Sequence, residues 1–497
     1  MLKKVNPFES ISGSVRLGSP MFYIPIFIVC LAAAWIIGKG GMVTGIGLIV
    51  LPFLFFYLNL LFRKPITGIY TVAILGYVIL GALRYVEVPM IGTSIDSILI
   101  LTILALFFQN FHKEMDWSPA KKDVTLLAAI WLGYGVLSAA NPEIRNYSVW
   151  LSSLRTVSAY MLFVIVVSLL LINTNKRFYA FLYIWGVFSV LASLKGMSQV
   201  FFGVDAWEKA WLDSGAYSTH LLFGKLRVFS FMSDAGQFGA NQAYTGVVFL
   251  ILSMGQKDTF RRLFFPLVGL LGIYGMFISG TRGAISVPLA GFVLYFILRK
   301  NKTVMFSGFV LLVAVFIFFK YTTIGQDIQQ IRRMRTAFDP NDASLQTRLA
   351  NQKTLSVYLS SRPFGGGLGH AGTKVKNILP NTVLANIATD SWYVLIWAEQ
   401  GVVGLVLHLI ILFYIIIKAS YLIMKKIRDP ILKNNMSALA AGMFGIMVAS
   451  YGNAVLGQVP TSIMIYVSMA LLLDPQRFEP EVKLPEASAA LAEAGGK

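Results

Sequence analysis

Residues 306–319 read FSGFVLLVAVFIFF, fourteen consecutive positions without a charge. A membrane barrel strand would show about ten residues of alternating hydrophobicity. No alternation exists here. A helix that crosses a hydrocarbon core about 30 Å thick needs about 20 largely apolar residues, and it satisfies its own backbone hydrogen bonds in the absence of water. The run therefore reads as the middle of a membrane helix. Runs of the same kind recur near 21–37, 42–62, 66–86, 91–111, 124–140, 156–172, 178–200, 236–254, 263–279, 284–298, 303–319, 390–417, 436–456 and 461–474. Over 497 residues, 56% are hydrophobic and 13% charged, against about a quarter charged in an average soluble chain. A soluble globule is excluded. The expected fold is all-α, a polytopic transmembrane helical bundle of about 12–14 spans.

With these spans, one set of loops collects Lys3 and Lys4, Arg63 and Lys64, Lys121 and Lys122, Lys176 and Arg177, Arg261 and Arg262, Arg299 and Lys300, and Lys425 and Lys426. Short loops rich in Lys and Arg face the cytoplasm, so this side is assigned inward and both termini with it. The net charge of +19 is thus mainly a topology signal, and nucleic acid is not an expected partner. The opening MLKKVNPFESISGSVRLGSP lacks the apolar core of a cleavable signal, so the first span is expected to stay as an anchor. A single transmembrane domain over 1–474 is expected, with two long extracytoplasmic loops at 201–235 and 320–389. The tail 475–497, rich in Pro, Glu and Ala, is expected to be disordered. Cys30 is the only cysteine, so no intramolecular disulfide forms. His112, His220, His370 and His408 are scattered without metal-ligand spacing, and no metal or other cofactor is expected.

The 320–389 loop carries Arg332, Arg333, Arg335, Arg348, Lys353, Arg362, Lys374 and Lys376 against Asp327, Asp339 and Asp342. Long loops translocate regardless of charge, so the excess either has no role or serves an anionic ligand. The stretch 324–361 is compatible with a short amphipathic helix and breaks at RPFGGGLGHAG, where Gly365 to Gly367 form a plain turn or let backbone approach closely. Ionisable residues at the membrane rim are functional candidates by default. Arg282, in FISGTRGAIS, sits between two apolar runs and either ends a helix or offers its planar fork to a phosphate. Arg227, in KLRVFSFMSDAGQFGANQAY, closes the first long loop and can face the same outer cavity. Asp390, in ATDSWYVLIWAEQGVVGLVLHL, reads as an N-cap or as a general base. Glu399 follows nine residues later, about 13 Å along a helix, and there needs a polar partner or a proton. His408 reads as a packed helix residue.

These segments resemble the O-antigen ligase and O-antigen polymerase superfamily of bacterial membrane glycosyltransferases. Its members show, after a large extracytoplasmic loop, His, then Asn, Ser or Gln, then nine residues and GxxG. Here Asp390-Ser391, nine residues from Trp392 to Gln400, and Gly401-Val402-Val403-Gly404 reproduce that spacing, with Asp390 in the place of His. The turn SGTRGA around Arg282, the segment from Arg227, and Arg348 ahead of RPFGGGLG resemble the family's other motifs. Together they cover about residues 180–460. The resemblance implies a multi-pass protein of the bacterial cytoplasmic (inner) membrane with an extracytoplasmic active face. It implies metal-independent, inverting transfer of an undecaprenyl-diphosphate-linked glycan to an acceptor sugar hydroxyl. Arg227, Arg282 and Arg348 would hold the diphosphate, and Asp390, or alternatively His370, would act as the base. A polymerase is favoured over a ligase because the family's His is replaced. Membrane lipids and other polysaccharide assembly proteins are further expected partners. The alternatives are a lipid-linked oligosaccharide flippase or other transporter, and an inactive scaffold of an assembly complex.

Overall fold

A computed structural model describes residues 20–85, 91–112, 114–222, 224–339 and 341–480. Residues 1–19 and the part of the expected disordered tail beyond 480 lie outside them. The chain divides into two compact units, Met1–Pro65 and Ile66–Lys497. In the first, the apolar runs expected at 21–37 and 42–62 are two arms of one helix, Pro20–Arg63, broken at Gly41 with φ 65°. Cys30 is exposed on it.

Among its described residues the second unit's regular structure is helical apart from one hairpin of two-residue strands, Leu221–Leu222 paired with Lys225–Leu226. Among the described residues, eight helices are long and apolar enough to cross a membrane, and five apolar helices are shorter. The helix Ala235–Ser253 is buried along almost its whole length and packs against Thr259–Ile278, Ser286–Arg299 and Pro430–Ala449. Lipid provides no hydrophobic drive between helices, so close approach of small residues and interhelical hydrogen bonds do the work. At Gly272 a Cβ would stand 2.8 Å from the Gln242 carbonyl, and at Gly442 one would stand 2.5 Å from Tyr244. Trp185 donates to Thr245 at 2.9 Å, and Tyr77 donates to Asn241 at 3.1 Å. The outward faces carry exposed Phe306, Phe309, Leu311, Ile410 and Ile417, as a lipid-facing surface requires.

Both long loops fold. The first continues from the helix Asn175–Phe201 into Ala206–Trp211, which a capping box of Asp205 and Glu208 starts, and then into the hairpin. The second forms two helices, Gln329–Arg335 and Ala343–Leu359, where one amphipathic helix was the expectation. The Asp342 side chain caps the second helix, accepting from Leu345 N–H. The start of the tail is also ordered: Pro475–Phe478 forms a short turn of helix, with Phe478 against Phe178 and Arg477 donating to the Leu169 carbonyl.

The helix Trp392–Lys425 is interrupted at Gly401, whose φ of 69° and ψ of −172° are not helical. The interruption frees the carbonyls just before it, and the glycine-rich loop supplies their partners. Gly366 N–H donates to the Ala398 carbonyl at 2.9 Å, Gly367 N–H to Glu399 at 3.0 Å, and the Tyr134 hydroxyl to Gln400 at 2.7 Å. A Cβ at Gly365 would lie 2.4 Å from the Gly401 nitrogen. Close backbone approach, not a plain turn, explains the consecutive glycines. The segment Val402–Lys425 then spans about 36 Å at 1.5 Å per residue, enough for the crossing, and Trp392–Gln400 is a separate arm at the level of the loops.

Candidate functional site

The two folded loops, the turn at 281–283, the arm from Asp390 to Glu399 and the segment 452–458 enclose a cavity of about 840 Å³. All three sequence-chosen arginines line it, and Asp390 lines it with them. Arg227 follows the hairpin, whose pairing turns the chain back; its guanidinium donates to the Thr219 carbonyl at 3.1 Å and to Thr281 at 3.5 Å. Burial, together with the neighbouring Arg282 charge, lowers its pKa from the usual arginine value. Arg282 opens the turn that leads into Ser286–Arg299 and donates to Asp342 at 2.5 Å and to Thr336 at 3.0 Å. Burial acts to raise the Asp342 carboxyl, but the hydrogen bond from Arg282 and that from Leu345 N–H outweigh it and hold its pKa below the usual range.

Arg348 lies on the helix Ala343–Leu359 and reaches Asp390, Nε to Oδ2, at 3.3 Å. Asp390 is not the N-cap of its helix. The first helical residue is Trp392, so the cap position falls on Ser391, whose hydroxyl accepts from Val394 N–H. Trp392 N–H in turn donates to the Ser450 carbonyl at 2.9 Å. Asp390 is therefore held at the head of a pinned arm, half exposed, and among the described residues it holds no backbone group.

His370, the alternative base, is buried and turned away from this space. Its Nε2 accepts from Arg145 N–H at 3.0 Å and Asn146 N–H at 3.2 Å, and its Nδ1 lies 2.9 Å from the Leu368 carbonyl. Both ring nitrogens hold backbone, and burial lowers its pKa. Glu399 lines the cavity floor, with the Gly369 and Ala371 N–H groups beside its carboxyl. The polar partner that its depth demanded is the glycine-rich loop. His408 is packed as expected: Trp392 donates to its Nε2 at 3.0 Å and Trp131 lies 4.7 Å away, centroid to centroid.

A fourth guanidinium, Arg333, also lines the cavity. Sequence reasoning grouped it with the loop cations without choosing it, because three arginines in IRRMR cannot be told apart until the helix is oriented. The buried Met334 sets that orientation. Among the described residues, no cluster of three or more His, Cys, Asp or Glu could hold a metal ion.

Fold and cavity together define a multi-pass helical membrane protein with an arginine-lined pocket at one end of its bundle. Residues 267–409 match the family model described as O-antigen ligase. A 198-residue stretch is 28% identical to an O-antigen polymerase of Salmonella muenchen, covering 38% of this chain and 46% of that protein. The chain thus spans about half the length of the curated relative it matches. Over these stretches the chain is similar to proteins of the O-antigen ligase and O-antigen polymerase kind. The matched family segment contains Arg282, Arg333, Arg348, Asp390 and the Gly401 break.

Proposed function

We propose that the protein is a surface-polysaccharide polymerase that transfers a glycan from an undecaprenyl diphosphate carrier to an acceptor sugar hydroxyl on the extracytoplasmic side of the membrane. The observation that carries this reading is the meeting of Arg227, Arg282 and Arg348 with Asp390 in one cavity. A polyprenyl diphosphate is already a good leaving group, so catalysis needs charge neutralisation on the diphosphate and a base for the acceptor. The arginine forks supply the first. Asp390, a solvent-reachable carboxylate beside them, takes the acceptor proton as the hydroxyl oxygen attacks the anomeric carbon. The bond from that carbon to the phosphate oxygen breaks, its electron pair leaves with the diphosphate, and the anomeric configuration inverts.

Arg348 links the two tasks, since it touches Asp390 in the resting site. A diphosphate that draws Arg348 away leaves Asp390 free to accept the proton. The polymerase reading is preferred to ligation because Asp390 stands where the family's histidine would be. A deletion strain should accumulate lipid-linked single repeat units outside the membrane and make no polymer. Accumulation on the cytoplasmic side would instead favour a flippase, and unaltered polymer would remove the protein from the pathway.

A further inference from the structure

Of the arginines in the helix Gln329–Arg335, each has a different environment. Arg332 is exposed. Arg335 donates to the Ile324 carbonyl at 2.6 Å and to Thr322 at 3.3 Å, so it holds the loop. Arg333 turns into the cavity, where among the described residues no carboxylate pairs with it and no acceptor meets its guanidinium. Its Nη1 lies 3.5 Å from where a Cβ would stand at Gly280, a glycine with φ 58°, so bare backbone lies beneath it. Thr336 ties it to its neighbour: the Thr336 hydroxyl donates to the Arg333 carbonyl at 2.8 Å and accepts from Arg282 at 3.0 Å.

We infer that Arg333 is a further ligand-binding residue, the resting site's uncommitted cation for the donor's diphosphate. The inference rests on the diphosphate reading of the same cavity. Arg227, Arg282 and Arg333 bring three positive charges together, and Asp342 cancels one through Arg282. Asp234, which also lines the cavity, acts on Arg227, so Arg333 is the charge left for a diphosphate. Arg227 and Arg282 already donate to protein groups and must share or exchange them to bind. Arg333 has nothing to give up. Burial, and after it the nearby Arg227 and Arg282 charges, push its pKa down to about 10, in the direction expected for a cation that awaits its counter-ion.

A residue kept for a ligand against the interest of the empty fold separates binding from stability. The full-length protein in nanodiscs is titrated with farnesyl diphosphate, with farnesyl monophosphate as the comparison, and its thermal midpoint is measured without ligand. Arg333→Gln should weaken farnesyl diphosphate binding by about 10- to 100-fold, the usual worth of a charge-assisted hydrogen bond. Its midpoint should stay level or rise, because a repulsion is removed. Arg333→Lys should bind with intermediate strength, and Arg332→Gln, which makes the same charge change on the exposed face, should bind as wild type does.

Wild-type affinity in Arg333→Gln alongside weakened binding in Arg227→Gln would overturn the role of Arg333 and leave the diphosphate reading standing. Equal weakening in Arg332→Gln would reduce the effect to general charge, and a lowered midpoint with lost binding would make Arg333 structural. Equal affinity of the wild type for both farnesyl phosphates, or for neither, would overturn the diphosphate reading itself.

Discussion

Replacing Gly401 by alanine tests whether the broken helix is the joint that carries the site. Its φ of 69° and ψ of −172° lie in a region that only glycine occupies readily, and strain of that kind costs about 1–3 kcal/mol. An added Cβ would stand 2.0 Å from the Pro363 carbonyl oxygen and 2.4 Å from the Gly365 nitrogen. Both are backbone atoms and cannot turn aside. Relief means parting the loop from the helix and giving up the bonds from Gly366 to Ala398, Gly367 to Glu399 and Val403 to Pro363. At about 0.5–1.5 kcal/mol each, those losses bring the total to about 3–7 kcal/mol, comparable with the whole stability of many domains. Thermal unfolding of the purified protein followed by tryptophan fluorescence measures it. Gly133→Ala is the control, since nothing lies within 4 Å of a Cβ there and alanine favours a helix by about 1 kcal/mol. Gly401→Ala should unfold far below wild type and Gly133→Ala at or above it. A Gly401→Ala protein as stable as the control would refute the joint.

Two further outcomes follow from the same geometry. His370 is neutral in the fold and its pKa is lowered by burial, so below the unfolded value of about 6.5 the unfolded chain binds the extra proton. Its contribution is therefore complete above that pH and is lost as the pH falls below it. Wild-type melting temperature should drop as the pH is lowered from about 7 to 5, and His370→Gln should drop less; parallel profiles would show that His370 takes up a proton in the fold as readily as in the unfolded chain. For topology, cysteines at Ser344 and Thr373 in a Cys30→Ser background should react with an impermeant thiol reagent on intact spheroplasts, and one at Lys426 should react only after lysis. The reverse pattern would place the cavity on the cytoplasmic side.

Composition and run length made the helices legible, since fourteen apolar runs in the sequence correspond to helices in the structure. Ends were less legible: residues 147–155 precede the run at 156–172 yet continue its helix through a π-turn at Arg155–Ala159. Arg227, Arg282 and Asp390 could be picked because a charge at a rim is costly without a purpose, and Arg348 because its place ahead of RPFGGGLG resembles a family motif. Their partners could not, because Asp342 and Thr281 are distant in sequence and ordinary in type, and Thr219 meets Arg227 only once the hairpin turns the chain back. The capping role offered for Asp390 fell to Ser391, a shift of one residue that spacing alone does not resolve. Arg333 was visible only as one cation among several, since orientation about a short helix depends on what Met334 packs against. Gly365 to Gly367 left two readings open until Gly401, 34 positions on, proved to be the backbone they approach.

The claim that Asp390 is the base in an arginine-lined transfer site is tested most directly in proteoliposomes. Wild-type protein and Asp390→Asn are supplied with the purified lipid-diphosphate-linked repeat unit, and the rate of chain elongation is followed by gel. Since Ser391 is the cap and Asp390 has only the exposed Arg348 pair, Asp390→Asn should melt within a few degrees of wild type. Its elongation rate should fall about 10²- to 10⁴-fold, the usual worth of general-base catalysis. Elongation by Asp390→Asn at the wild-type rate would contradict the assignment.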